Sequence, residues 1–309
     1  MVIVGSPLSL VAPSGGSSKF GSSCMNVFIM GILAGISYGV VLFLIATGLS
    51  LVLGLMGIVN VAHGALFMTG AYFGLMVAKI TNNVVLGILA GTALAGITGL
   101  MMERGFLRQL YKRELDQILV TFGFVHIITN LHLWIYGAWP QAAFVPQYLG
   151  GSMTIGRFGF PAYRFAIILI GAVLCLGLWW LQEKTKIGAI IRAGMDDAEM
   201  VLGLGINLKS INIGAFCLGA SLAGFAGVVG APVLGGVDLD AGVNIVFVAI
   251  AVCIVGGVGS VQGALVGALL IGVATTLVGI YLPEMAMFVM YILMVLILIC
   301  RPSGILGRT

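Results

Sequence analysis

Residues 48–70 read Gly48-Leu-Ser-Leu-Val-Leu-Gly54-Leu-Met-Gly57-Ile-Val-Asn60-Val-Ala-His63-Gly64-Ala-Leu-Phe-Met-Thr-Gly70. Glycines punctuate an apolar run that carries two strongly polar side chains, Asn60 and His63. Such a run predicts a helix broken at membrane depth, with the break at Gly54–Gly57. Irregular backbone at that depth is tolerated only inside protein or beside a water-filled cavity, and discontinuous helices of this kind surround the midplane sites of transporters. The competing reading is that Asn60 and His63 simply bond across a helix contact.

Composition extends this reading to the whole chain. Of 309 residues, 61% are hydrophobic and 8% charged, with a mean hydropathy of +1.20. A soluble domain carries about 25% charged residues. Here 14 Lys and Arg and 10 Asp and Glu are too few to wet a protein of this size, so the bilayer is the solvent for most of it. Apolar stretches run at about 27–53, 61–79, 84–102, 117–136, 163–181, 211–231, 244–259, 263–281 and 284–300, each near the length that spans a membrane. The stretch at 244–259 is short and ends in glycines. The expected fold is all-α, a polytopic transmembrane helical bundle of 8–9 membrane segments with Gly-broken helices. The 47 glycines fit close approach of helix backbones in lipid. Residues 1–25 read as a flexible Gly/Ser/Pro-rich tail without the basic start of a cleaved signal peptide, and 26–309 as one membrane domain.

Lys and Arg in short loops set orientation. Arg104, Arg108, Lys112 and Arg113 lie in one loop, Lys184, Lys186, Arg192 and Lys209 in another, and Arg301 and Arg308 at the C-terminus. Those regions share one side, which the positive-inside rule makes cytoplasmic. The intervening loops 137–162 and 232–243 hold only Arg157, Asp238 and Asp240.

The missing features narrow the function. The carboxylates lie outside the apolar segments or at their ends, so none stands where a proton- or sodium-coupled carrier holds its ion. No G-x-x-x-x-G-K-[ST] loop occurs. Five cysteines without metal-ligand spacing read as small buried side chains. His126 and His132, at i and i+6, do not share a helix face, and no carboxylate or cysteine stands at relay spacing from any histidine. A membrane enzyme, a metal site and nucleic-acid binding are not expected. What remains is a conduit, passive or driven by other subunits.

Two further segments stand out. Gly256-Gly257-Val-Gly259-Ser260-Val-Gln262-Gly263 is a second Gly-interrupted apolar stretch, and Gln262-Gly-Ala-Leu echoes His63-Gly-Ala-Leu. Loop 183–210 places Ile187, Ile190, Ile191, Met195, Ala198 and Leu202 near helical spacing. Asp196 and Glu199 form a possible N-cap pair for a second short helix. Gly203 and Gly205 would end it, with Asn207 in a left-handed turn. A short amphipathic pair on the inner side suits docking to a partner protein, or lying on lipid headgroups.

These residues resemble a known family. Thr185-Lys-Ile-Gly188, Arg192-Ala193, Asp196 and Gly205-Ile-Asn207 are similar to the cytoplasmic loop of branched-chain amino acid ABC transporter permeases of the LivH type. Asn60-Val-Ala-His63-Gly64, Gly256-Gly257-Val-Gly259-Ser260 and the closing Arg301-Pro-Ser-Gly-Ile-Leu-Gly-Arg308 resemble it too. The likeness covers about residues 27–308. It implies a multi-pass protein of the bacterial inner membrane with a cytoplasmic C-terminus. It also implies a LivM-type partner permease, an external solute-binding protein and two cytoplasmic ATPase subunits that hold the ATP-Mg, with no cofactor in this chain. Gly188, Arg192, Ala193, Asp196, Glu199, Gly205 and Asn207 would form the ATPase-coupling loop. Asn60, His63, Gly64, Gly256, Gly257, Gly259, Ser260 and Gln262 would lie along the substrate pathway. Such permeases carry branched-chain amino acids, similar small amino-acid or carboxylate solutes, urea, short amides or aromatic acids. A passive channel for urea or a short amide is the alternative; the docking loop distinguishes the two.

Overall fold

The structure is a computed structural model, and it describes residues 17–57, 60–111, 113–155 and 158–307. Most of the proposed tail therefore lies outside the described residues, and helix already runs from Ser17. Eleven α-helices occur among the described residues: α1 (Ser17–Met56), α2 (His63–Thr81), α3 (Val84–Gly105), α4 (Glu114–Tyr136), α5 (Ala162–Lys184), α6 (Lys186–Asp196), α7 (Ala198–Gly203), α8 (Leu208–Leu234), α9 (Ala241–Gly256), α10 (Val261–Tyr281) and α11 (Ala286–Cys300). Eight are long and apolar enough to cross a membrane, counting α11 with the 3-10 turn Pro283–Met285 before it; α9 is shorter. The all-α expectation has one exception. Loop 137–162 contains an antiparallel hairpin of β1 (Ser152–Ile155) and β2 (Phe158–Pro161), in register from Ser152 opposite Pro161 to Ile155 opposite Phe158.

Helix α1 is the central post, packed on α5, α6, α8, α9 and α10, while α2 sits among α3, α8 and α9. These contacts are made by small residues. A Cβ on Gly64 would stand 1.8 Å from Gly242 O, one on Gly70 2.3 Å from Gly224 Cα, and one on Gly48 2.7 Å from Gly219 O. Backbone therefore lies against backbone, the packing available where lipid supplies no hydrophobic drive between helices. Helices α4, α5 and α11 instead expose large apolar side chains such as Ile127, Trp134, Leu169, Val173 and Ile299, a surface suited to acyl chains.

One end of the bundle gathers the basic regions. Gln182 at the end of α5 bonds Gly259. Met195 of α6 reaches both Gly54 and Gly259. Beyond α11, Ile305 N and Leu306 N donate to Val255 O and Gly256 O at 2.9 and 3.0 Å. The ends of α1, α5 and α9, the start of α10, the α6–α7 loop and the C-terminal segment thus share one end, as the loop charges predict.

Candidate translocation and coupling site

The first break falls at the far edge of its sequence reading, Gly54–Gly57. Helix α1 continues through Gly54 to Met56, and Gly57, at φ +67°, ends it. Only that glycine supplies a turn; Gly48, Gly54, Gly64 and Gly70 are helical and make close approaches. Residues 58 and 59 are not described. Beyond them the chain turns back into the bundle, because His63 lies beside Ile45, about 16 Å from the Met56 end at 1.5 Å rise per residue. Its Nε2 is 3.1 Å from Ile45 O. A carbonyl only accepts, so Nε2 carries the proton and Nδ1 is left as an acceptor.

Helix α2 therefore begins inside the bundle, and Ala62 at its N-cap offers no side-chain bond. Asn60 is buried, and neither amide atom has a partner among the described residues; His63 Nδ1 has none either. Buried polar atoms left unpaired cost about 1–3 kcal/mol each, so a structure retains them for a reason. Above them, Tyr72 stacks on His132 and Tyr136 at centroid distances of 5.2 and 5.0 Å. His132 is thus a helix-contact residue between α2 and α4, whereas His126 is exposed beside Phe122.

The second break has more built-in satisfaction. Helix α9 ends at Gly256, Gly257 and Gly259 take φ of +103° and +80°, and Ser260 Oγ accepts from Gly263 N at 3.0 Å to start α10. Gly259 N donates to Ser50 Oγ at 2.8 Å. Gln182 donates through Nε2 to Gly259 O at 2.8 Å and accepts at Oε1 from Val261 N at 3.2 Å. The echo of His63 and Gln262 has a structural counterpart, since both stand in the first turn after a glycine break. Their surroundings differ: His63 is buried, whereas Gln262 is exposed. Gln262 faces a cavity of about 360 Å³ shared by Gly54, Gln182, Glu183, Arg192, Asp196, Gly259 and Ser260.

The loop between α5 and α8 forms an elbow of α6 and α7. Thr185 Oγ1 accepts from Gly188 N at 3.1 Å to cap α6. The cap of α7 is Asp197, not Asp196: its Oδ1 accepts from Glu199 N and Met200 N, both at 3.0 Å. The reason is backbone. Asp196 still belongs to α6, whereas Asp197 is extended (φ −154°, ψ 98°), the geometry an N-cap needs. Gly205, at φ +77°, makes the left-handed turn after Gly203, while Asn207, at φ −79°, caps α8 through Ser210 N at 3.4 Å. Asn207 is thus a cap rather than the turn residue.

The elbow is gripped by its own chain. Arg192 Nη1 donates to Gln182 O and lies 3.5 Å from Glu183. Gly188 packs against the carbonyls of Leu181 and Gln182, and Ile191 joins Leu55 and Ala215 in a small apolar cluster. The expected apolar stripe is divided: Ile191 is buried, whereas Ile187 and Leu202 face outward with Met200 and Leu204. Within α6 the division falls between Ile187 and Ile191, and the extended residue at 197 resets the helical phase for α7. Ala193 and Glu199 are exposed too.

Beside the elbow, Glu103 at the end of α3 is buried and accepts from the Tyr111 hydroxyl. Burial first, then that bond, push the Tyr111 phenol well above its ordinary pKa. Glu103 is at a helix end, as the sequence places it, but it is not solvated.

Comparison with known proteins completes the picture. Residues 31–298 match the family model described as the branched-chain amino acid transport system permease component. The chain belongs to this family. It is 28% identical to the high-affinity branched-chain amino acid transport system permease protein LivH of Salmonella typhimurium, over 91% of this chain and 96% of that one. It is 27% identical to BraD, a high-affinity branched-chain amino acid transport system permease protein of Pseudomonas aeruginosa, with the same coverage. It is also 28% identical to LsrC, an autoinducer 2 import system permease protein of Escherichia coli, over 74% of this chain and 65% of that one. No solved structure matches the chain. The permease is thus a multi-pass membrane component of a transport system. Sequence reasoning did not single out Gln182, Ser50 or Asp197, and it placed Met195 in the apolar stripe without its contact to Gly54 and Gly259. The isolated glutamine ending a long apolar run was the available signal for the first.

Proposed function

We propose that the chain is the LivH-type permease subunit of an ABC importer, forming a translocation pathway for branched-chain amino acids or a similar small amino-acid or carboxylate solute. It works with a LivM-type partner permease, two cytoplasmic ATPase subunits and an external solute-binding protein, in the plasma membrane with elbow and C-terminus inside. The chain itself holds no ATP and carries out no catalysis. The observation that carries this reading is the elbow: two capped helices, braced on the bundle by Arg192 and Ile191, that present Ile187, Met200, Leu202 and Leu204 outward. A passive channel has no need of a braced apolar knob beside its mouth. Family membership supports the importer reading, and the relatives' names support the solute class. Asn60, His63 and Gly64 line the pathway region from within the subunit, and Gly256, Gly257, Gly259, Ser260 and Gln262 form its inner mouth.

The test is purification through a tag on this chain. ATPase subunits are expected to co-purify with the wild type and to be lost in the double variant Met200→Glu, Leu204→Glu, whose exposed positions leave the fold intact. Retained ATPase in that variant would refute the docking assignment. Arg192→Glu is a poorer probe, since Arg192 braces the elbow internally.

A further inference from the structure

Among the main-chain groups that the α9–α10 break leaves without a helix partner are Gly259 N, Gly259 O and Val261 N. Ser50 takes the first. The side-chain amide of Gln182 takes the other two, donating at 2.8 Å and accepting at 3.2 Å. Glutamine suits this place because its amide carries donor and acceptor on one planar group. Such a clasp would be ordinary backbone repair except for its other attachment. The main-chain carbonyl of Gln182 is itself the acceptor for Arg192 of the elbow, and Glu183 pairs with the same guanidinium at 3.5 Å. One residue is therefore held by the elbow through its backbone and holds the break through its side chain. Met195, also on the elbow, packs against Gly54 and Gly259 beside the same clasp.

The break is anchored on one side and open on the other. The C-terminal segment pins Val255 and Gly256, so α9 is anchored up to its last turn. Beyond it, Gly257 and Gly259 hold positive φ, which glycine adopts about as readily as negative φ, and Gly257 still packs on Leu306 and Gly307. On its open side lies the cavity of about 360 Å³, into which Val258 points with 42% exposure.

We propose that Gln182 is the positioning residue that makes the α9–α10 break follow the elbow, so that ATPase-driven movement of α6 displaces residues 258–260 at the inner mouth. This rests on the importer reading above and adds the link between docking surface and gate.

The experiment uses the whole complex purified through this chain, with native cysteines replaced by alanine and a bimane fluorophore on Val258→Cys. Addition of ATP is expected to shift the bimane spectrum when Gln182 is present. Gln182→Ala is expected to abolish the shift while ATP hydrolysis stays within about twofold, the signature of lost coupling rather than lost catalysis. Ser50→Ala removes a bond to the same break but leaves the link to the elbow, and is expected to retain the shift. The proposal is overturned by a shift that survives Gln182→Ala, by its loss in Ser50→Ala as well, or by Gln182→Ala preventing assembly, which would make the residue purely structural. It is equally overturned if Gln182 complexes show no shift. A preparation lacking ATPase subunits altogether would instead count against the importer reading.

Discussion

Gly64 has no room for a side chain: a Cβ there would stand 1.8 Å from Gly242 O. Overpacking a close-packed interior costs about 1–3 kcal/mol, occasionally more, and here the obstruction is backbone, which cannot rotate away. Gly64→Ala is expected to lower the melting temperature of detergent-solubilised protein, whereas Gly177→Ala, with open space around it, is expected to leave it unchanged; equal thermal curves would contradict the backbone contact. Asp197→Ala removes the α7 cap, an effect of about 1 kcal/mol. It is expected to raise hydrogen exchange at Glu199 and Met200 without changing global stability. At this scale the sequence was only partly legible. In 48–70 a glycine that turns the chain (Gly57) and glycines that admit a neighbour (Gly48, Gly64) look alike, because the deciding atoms belong to α8 and α9. Asp196 with Glu199 has the spacing of a capping pair, but the cap falls where α6 stops, one residue later.

The elbow shows how elements constrain one another. Its apolar residues read as one stripe, yet they divide: Ile191 of α6 is buried, whereas Ile187 at the start of α6 and Leu202 of α7, beyond the extended Asp197, face outward. The outward set predicts that Leu204→Glu alone weakens ATPase co-purification at least severalfold, on the order of the 1.5–3 kcal/mol of burying such a side chain, with unchanged elution of the permease itself. The long helices were legible because apolar runs bounded by loop charges leave little freedom in lipid. The β1–β2 hairpin was not, since loop 137–162 is short of the alternation that announces strands. Nor was Gln182, whose partners lie far along the chain at Gly259 and Val261 and could not be paired with it from spacing.

For the molecule as a whole, the contacts of Gly54, Gln182, Met195 and Gly259 and the pairing of residues 305–306 with 255–256 require elbow and C-terminus to share one side. A membrane-impermeant thiol reagent is expected to label Met200→Cys in inverted vesicles and not in right-side-out ones, in a background without native cysteines, with a C-terminal tag digested in the same orientation; opposite behaviour of the two sites would contradict the bundle. The larger claim is that this subunit supplies a path and a lever but no energy. It is tested most directly by uptake of radiolabelled leucine into proteoliposomes that contain this chain alone, or this chain with its partner permease, ATPase subunits and lumenal ATP, each with binding protein outside. Accumulation above the external concentration is predicted only in the complete, ATP-loaded vesicles. Accumulation in vesicles holding this chain alone would contradict the account.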